Sequence, residues 1–204
     1  MVYIYSSLYY HKEKSCISVL NIRIFFIKEH TYGIERKFLI KDLHSLPFSI
    51  EAYPHRELEQ AYLCTGPVVR IRKDDEQYFL TYKSKGLMIR EEYNLPLNLQ
   101  AYLHLREKAD GRIIQKTRYV IPLDEVTDSS PSQKESHLSP QFREKGVSLF
   151  LELDIFKGDL APLFLAEIEF PDEETARNYQ APDWLGEDVT HLSLYHNSTL
   201  SQLK

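Results

Sequence analysis

Charged residues in this chain recur two apart inside apolar, β-prone stretches. Glu152 and Asp154 sit in Leu-Glu-Leu-Asp-Ile-Phe, and Glu167 and Glu169 in Ala-Glu-Ile-Glu-Phe. Arg70 and Arg72 share Val-Val-Arg-Ile-Arg, and Lys116 and Arg118 share Lys-Thr-Arg-Tyr. Lys83 is followed by Lys85, Arg90 and Glu92 form a mixed pair, and Glu35 and Lys37 share one parity of Ile-Glu-Arg-Lys-Phe-Leu-Ile. In a strand, residues two apart are about 6–7 Å apart at Cα and point the same way. Each pair therefore offers two charged groups to one object. Hard carboxylate oxygens suit Mg²⁺ or Mn²⁺, and the Cys and His spacings of a zinc site are missing. Arg and Lys pairs suit phosphate oxygens, which Arg holds with a planar fork. Acid and base together describe a metal-bound polyphosphate. No Gly-rich phosphate loop accompanies them, since Gly66 and Gly86 are isolated and GxxxxGK[ST] does not occur.

Any one pair alone reads as the solvated face of a sheet or as an edge blunted by charge. Six or so strands with the same charge spacing carry more weight than any member. Burying so many charges without partners would cost on the order of several kcal/mol each, so they must be paired, wet or bound to ions. The alternate positions are largely apolar: Val69 and Ile71, Leu80 and Tyr82, Leu153 and Ile155, Ile168 and Phe170. If these pack outward against helices, the charges line the interior as a tunnel. The eight histidines are scattered and none is assigned to a site, and Trp184 reads as a core plug.

Strands are expected at 33–40, near 60–63, and at 68–72, 78–83, 90–95, 113–121, 147–156 and 163–170, with turn residues between them. A helix is expected over 97–109, ending at Asp110-Gly111, another opens at Asp172-Glu173-Glu174, and a short one closes the chain over 192–203. The fold class is α+β, mainly β: an eight-stranded antiparallel closed β-barrel with a few flanking helices. Its domain spans 33–204, with an atypical extension at 1–32 and a polar excursion at 124–146. The 204 residues suffice for one domain, and 43% hydrophobic with 27% charged residues is globular composition. A net charge of −5 argues against coating nucleic acid. Two sparse cysteines fit a reducing compartment, and no run of about eighteen apolar residues suggests a membrane span. A soluble, cytoplasmic protein is expected.

The ordered set IERKFLI, VVRIR, YFLTYKSKG, REEY, KTRY, LELDIF and AEIEF followed by PDWLGEDVT resembles the CYTH family, or triphosphate tunnel metalloenzymes, of the compact bacterial type. The resemblance runs from Ile34 to about Leu200. It implies an eight-stranded tunnel that hydrolyses inorganic tripolyphosphate or a nucleoside triphosphate with Mg²⁺ or Mn²⁺. Some relatives are adenylate cyclases of the class IV type, and others act on thiamine triphosphate or mRNA 5′ ends. Carried onto this chain, the metal-binding acids are Glu35, Glu152, Glu167 and Glu169, with Asp154 added. The substrate-binding bases are Lys37, Arg70, Arg72, Lys83, Lys116 and Arg118, with Lys85 and Arg90 added. The implied catalytic set is Glu35, Lys37, Lys83 and Glu169. The partner implied is a small-molecule triphosphate, assembly as a homodimer is open, and neither nucleic acid nor membrane is expected. Two departures stand out. Gly33 replaces the first Glu of the family's E-x-E-x-K opening, which leaves a polyphosphate-binding module with impaired turnover as an alternative. Tyr195-His-Asn-Ser lacks the lysines that close relatives often show there.

Overall fold

The computed structural model of the protein describes residues 31–85, 89–124, 126 and 148–203. Residues 1–30 and nearly all of the 124–146 excursion lie outside them. Nine strands are present: β1 (Thr31–Ile40), β2 (His55–Thr65), β3 (Val68–Asp74), β4 (Gln77–Lys83), β5 (Ile89–Leu97), β6 (Asp110–Pro122), β7 (Phe150–Phe156), β8 (Phe164–Phe170) and β9 (Glu187–Asp188). Among these residues helices are few and short: α1 (Leu99–Arg106), α2 (Glu173–Asn178) and α3 (Asn197–Leu200). All pairings are antiparallel, in the order β5-β4-β3-β2-β6-β7-β8-β1-β9, and β5 pairs additionally with the start of β1.

The sheet thus has nine strands where eight were expected. The ninth has a physical cause. β5 accompanies β1 only from Thr31 to Ile34, so the later residues of β1 keep an unpaired edge. Glu187 and Asp188 fill it opposite Leu39 and Phe38. Sequence patterning could not show a two-residue strand whose residues are both charged.

β2 is also longer than its apolar residues suggest. Its polar members are bonded to β3, to Lys157 just past β7, and to α1: Arg56 to Asp74 at 2.8 Å, Glu57 to Lys157 at 2.6 Å, and Glu59 to Arg106 at 2.6 Å and the Tyr102 hydroxyl at 2.8 Å. Helix α1 is shorter than the expected 97–109. Leu97 still belongs to β5, and Asn98 caps the helix by accepting the Ala101 N–H at 2.8 Å. At the other end, Gly111 already lies in β6 with φ of 72°, where an added Cβ would meet the Ser201 carbonyl oxygen at 2.3 Å.

The apolar face of β7 and β8 (Leu151, Leu153, Ala166, Ile168, Phe170) packs outward under the 43–53 connector and against Ala176, Tyr179 and Leu185. Ile71 packs under Tyr102 of α1. A third cluster, Tyr62, Ile114, Phe156, Leu165, Val189 and Leu200, gathers residues of the charged parity from β2, β6, β7 and β8. One end of the charged face is therefore apolar and filled.

Candidate active site

Glu35 and Lys37 of β1, Arg70 and Arg72 of β3, Lys83 of β4, Arg118 of β6, Glu152 of β7 and Glu167 and Glu169 of β8 all line one cavity of about 230 Å³. Alternation puts each on the same side of its strand, and register sets its neighbours. Glu35 lies opposite Glu169 and Lys37 opposite Glu167 across β1–β8, while Glu152 lies opposite Glu167 across β7–β8. Three adjacent strands thus present four carboxylates side by side. Arg70, Arg72 and Lys83 come from β3 and β4, which that order separates from β8 by several strands.

Acid and base meet inside. Lys37 Nζ lies 2.6 Å from Glu167 Oε1, and Arg118 donates to Asp154 through Nε and Nη2 at 2.6 Å, to Glu167 at 2.7 Å and to Glu152. Burial opposes the Lys37 charge, but Glu167 and Glu35 outweigh it and hold the ammonium above its ordinary range. Burial likewise opposes ionised Glu167, and Lys37, Arg118 and Lys116 hold its carboxyl well below the usual range. Glu152 goes the other way: burial, reinforced by Glu167 and Asp154, raises it despite Arg118. On the basic side, burial and the adjacent Arg70 and Arg118 charges bring Arg72 down to about 10. Arg70 Nε and Arg72 Nε are buried without a hydrogen-bond partner among the described residues.

Other expected residues are placed elsewhere. Lys116 and Asp154 are fully buried against each other beneath the cavity rather than lining it, with Lys116 Nζ also 5.2 Å from the Phe156 ring centre. Burial, together with nearby Arg118, pushes the Lys116 ammonium down to about 8. Both Asp154 oxygens are taken by these cations. Lys85 is exposed and outside the lining, and Arg90 is placed through its backbone alone, opposite Gly33.

The cavity adds residues that charge spacing did not single out as site members: Gln60, Tyr62, Glu92, Asn94, His196, Asn197 and Ser198. Glu92 accepts Lys83 at 2.7 Å and the Asn94 side chain at 3.0 Å. Burial resists its ionisation, but Lys83 and Arg70 bring its carboxyl down to about 2. Its parity matches the charged face of its strand, so pairing it with Lys83 would have found it. His196, Asn197 and Ser198 sit at the start of α3 after a 3₁₀ turn, where no periodicity points inward.

Among the described residues no group of three or more His, Cys, Asp or Glu stands ready-made around a metal position. The donor chemistry nonetheless suits a hard divalent cation: five carboxylates line the cavity, with no cysteine and one histidine. Among them Glu92 is engaged by Lys83, and Glu152 and Glu167 by Arg118 and Lys37.

An inorganic triphosphatase from Nitrosomonas europaea is 32% identical over 176 residues, which cover 82% of this chain and 95% of the relative. Another, from Acetivibrio thermocellus, is 27% identical over 151 residues, covering 71% and 92%. A solved crystal structure of an inorganic triphosphatase is similar at a TM-score of 0.55 and 30% identity, over 84% of this chain and 95% of that one. The family model for the CYTH domain matches residues 32–204, a span that takes in every strand lining the cavity, and the chain belongs to that family.

Proposed function

We propose that this chain hydrolyses a triphosphate, either inorganic tripolyphosphate or a nucleoside triphosphate, inside a tunnel closed by eight of its nine strands and with a divalent cation, Mg²⁺ or Mn²⁺. The observation that carries this reading is the pair of buried, unpartnered donors Arg70 Nε and Arg72 Nε in the same cavity as five carboxylates. Unsatisfied buried donors are costly, and phosphate oxygens are the acceptors that a guanidinium fork matches. The β5–β1 pairing supports closure, because it joins the far end of the strand order to β1. The two inorganic triphosphatases that resemble this chain support the substrate class.

In this reading Arg70, Arg72 and Lys83 bind the phosphate chain, and Lys37 and Arg118 turn from their carboxylates toward it. Glu35, Glu152, Glu167 and Glu169 are the residues that would hold the cation. When bound, it would neutralise charge on the phosphate chain and favour attack by water. Binding of the anion draws Lys37 and Arg118 off Glu167 and Glu152, so anion and cation reinforce one another. Water then forms a new P–O bond at the terminal phosphorus while the bridging P–O bond breaks, its electron pair leaving with the departing pyrophosphate or nucleoside diphosphate. Glu35, Lys37, Lys83 and Glu169 form the catalytic set: the two lysines offset charge on the transferring group, and the paired carboxylates accept the proton of water.

Product analysis tests this. Tripolyphosphate should give pyrophosphate and orthophosphate, and ATP, if accepted, ADP and orthophosphate. Cyclic AMP with pyrophosphate from ATP would replace the hydrolase by a cyclase. Gly33→Glu, which restores the family's first acid, should change the rate by less than about tenfold. A gain beyond roughly 100-fold would mark the native chain as a binding module with impaired turnover.

A further inference from the structure

Lys37 lies three residues past the point where β5 stops accompanying β1. On that edge its backbone is held by the segment that continues β9. Val189 N–H donates to Lys37 O at 2.8 Å, and Lys37 N–H donates to Thr190 Oγ1 at 3.0 Å. A side-chain hydroxyl thus stands where a sheet would supply a carbonyl. Thr190 is buried, and its hydroxyl and N–H donate to Asp188 Oδ1 at 2.5 and 2.9 Å.

From Asp188 the connections run outward. Its Oδ2 accepts Arg36 Nε at 3.0 Å and Nη2 at 2.5 Å, and Arg36 Nη1 donates to the carbonyls of Ala176 and Tyr179, by the end of α2. From Thr190 they also run inward. Its carbonyl lies 3.4 Å from His196 Nε2, and Lys37 Nζ lies 3.4 Å from Tyr195 O. One threonine therefore meets the β1 backbone at Lys37, the outer Arg36–Asp188 clamp, and the 196–198 segment that lines the cavity.

On this edge the Lys37 N–H has the Thr190 hydroxyl as its acceptor in place of a strand carbonyl, and a small rotation at Cα is magnified at the end of the four-carbon Lys37 stem. We infer that Thr190 is a positioning residue, whose hydroxyl fixes the Lys37 backbone and sets the Lys37 ammonium relative to the His196–Ser198 wall of the cavity. The kinetic side of this inference rests on the functional reading above, and the backbone side does not.

The test compares Thr190→Val, of nearly equal shape without the acceptor, with Thr190→Ser, which retains it. Two readouts are taken: steady-state hydrolysis of tripolyphosphate with Mg²⁺, and amide hydrogen exchange at Lys37 against Phe38, whose N–H points to β8. Thr190→Val should lower kcat roughly 10- to 100-fold, as a misplaced reacting group does, with KM within about twofold. It should speed exchange at Lys37 and leave Phe38 protected, and Thr190→Ser should restore both. Unchanged Lys37 exchange in Thr190→Val overturns the inference, as does an unchanged kcat or failure of Thr190→Ser to restore it. Should the unaltered chain release no phosphate, the functional reading falls, and Lys37 exchange alone decides the inference.

Discussion

At the scale of single residues, placement distinguishes charges that look alike in sequence. Lys116 and Arg118 form the same kind of pair as Arg70 and Arg72, yet Lys116 is sealed against Asp154 while both arginines of β3 face the cavity. Spacing shows which face a residue shares but not how deep it lies along the strand. Glu92 illustrates the energetic consequence. Its folded pKa is depressed to about 2 from an ordinary 4.5, so its pairing stabilises the fold fully above the ordinary value and is lost as pH falls toward 2. Denaturant unfolding of Glu92→Gln should therefore show a stability deficit at pH 7 that shrinks below about pH 4.5. A deficit independent of pH would mean that shape, not charge, is what Glu92 contributes.

At the scale of elements, period-two patterning revealed most strands, because apolar residues on one face and charges on the other leave one parity. It failed where that contrast is missing. The start of β2 is polar on both faces and is held by ion pairs, and β9 is two acids that complete a neighbour's edge. The C-terminal segment gave no inward signal because its cavity residues come from a turn and a four-residue helix. That segment is held against β6, where Arg112 N–H donates to Ser201 O at 2.7 Å beside Gly111. Gly111→Ala should destabilise the protein by about 1–3 kcal/mol, combining positive φ with a clash against backbone. Thermal and denaturant unfolding would measure it, and a neutral effect would show that the terminal segment yields easily.

At the scale of the whole molecule, charged strands can be gathered in one sheet because neighbouring strands compensate each other. Lys37 with Glu167, Arg118 with Glu152 and Glu167, and Lys83 with Glu92 neutralise the interior. Arg70 and Arg72 keep unmet donors. This division was legible in the sequence as a set of pairs, whereas the particular pairings depend on strand order, which no local pattern encodes. No helix among the described residues is long and apolar enough to cross a membrane. The measurement that bears most directly on the account is phosphate release from tripolyphosphate, with Mg²⁺ or Mn²⁺ and with a chelator, by the unaltered chain and by Arg72→Ala. The account expects cation-dependent release that falls at least about 100-fold in the variant, the scale of losing a transition-state charge contact. No release under any condition, or release indifferent to Arg72, would contradict it.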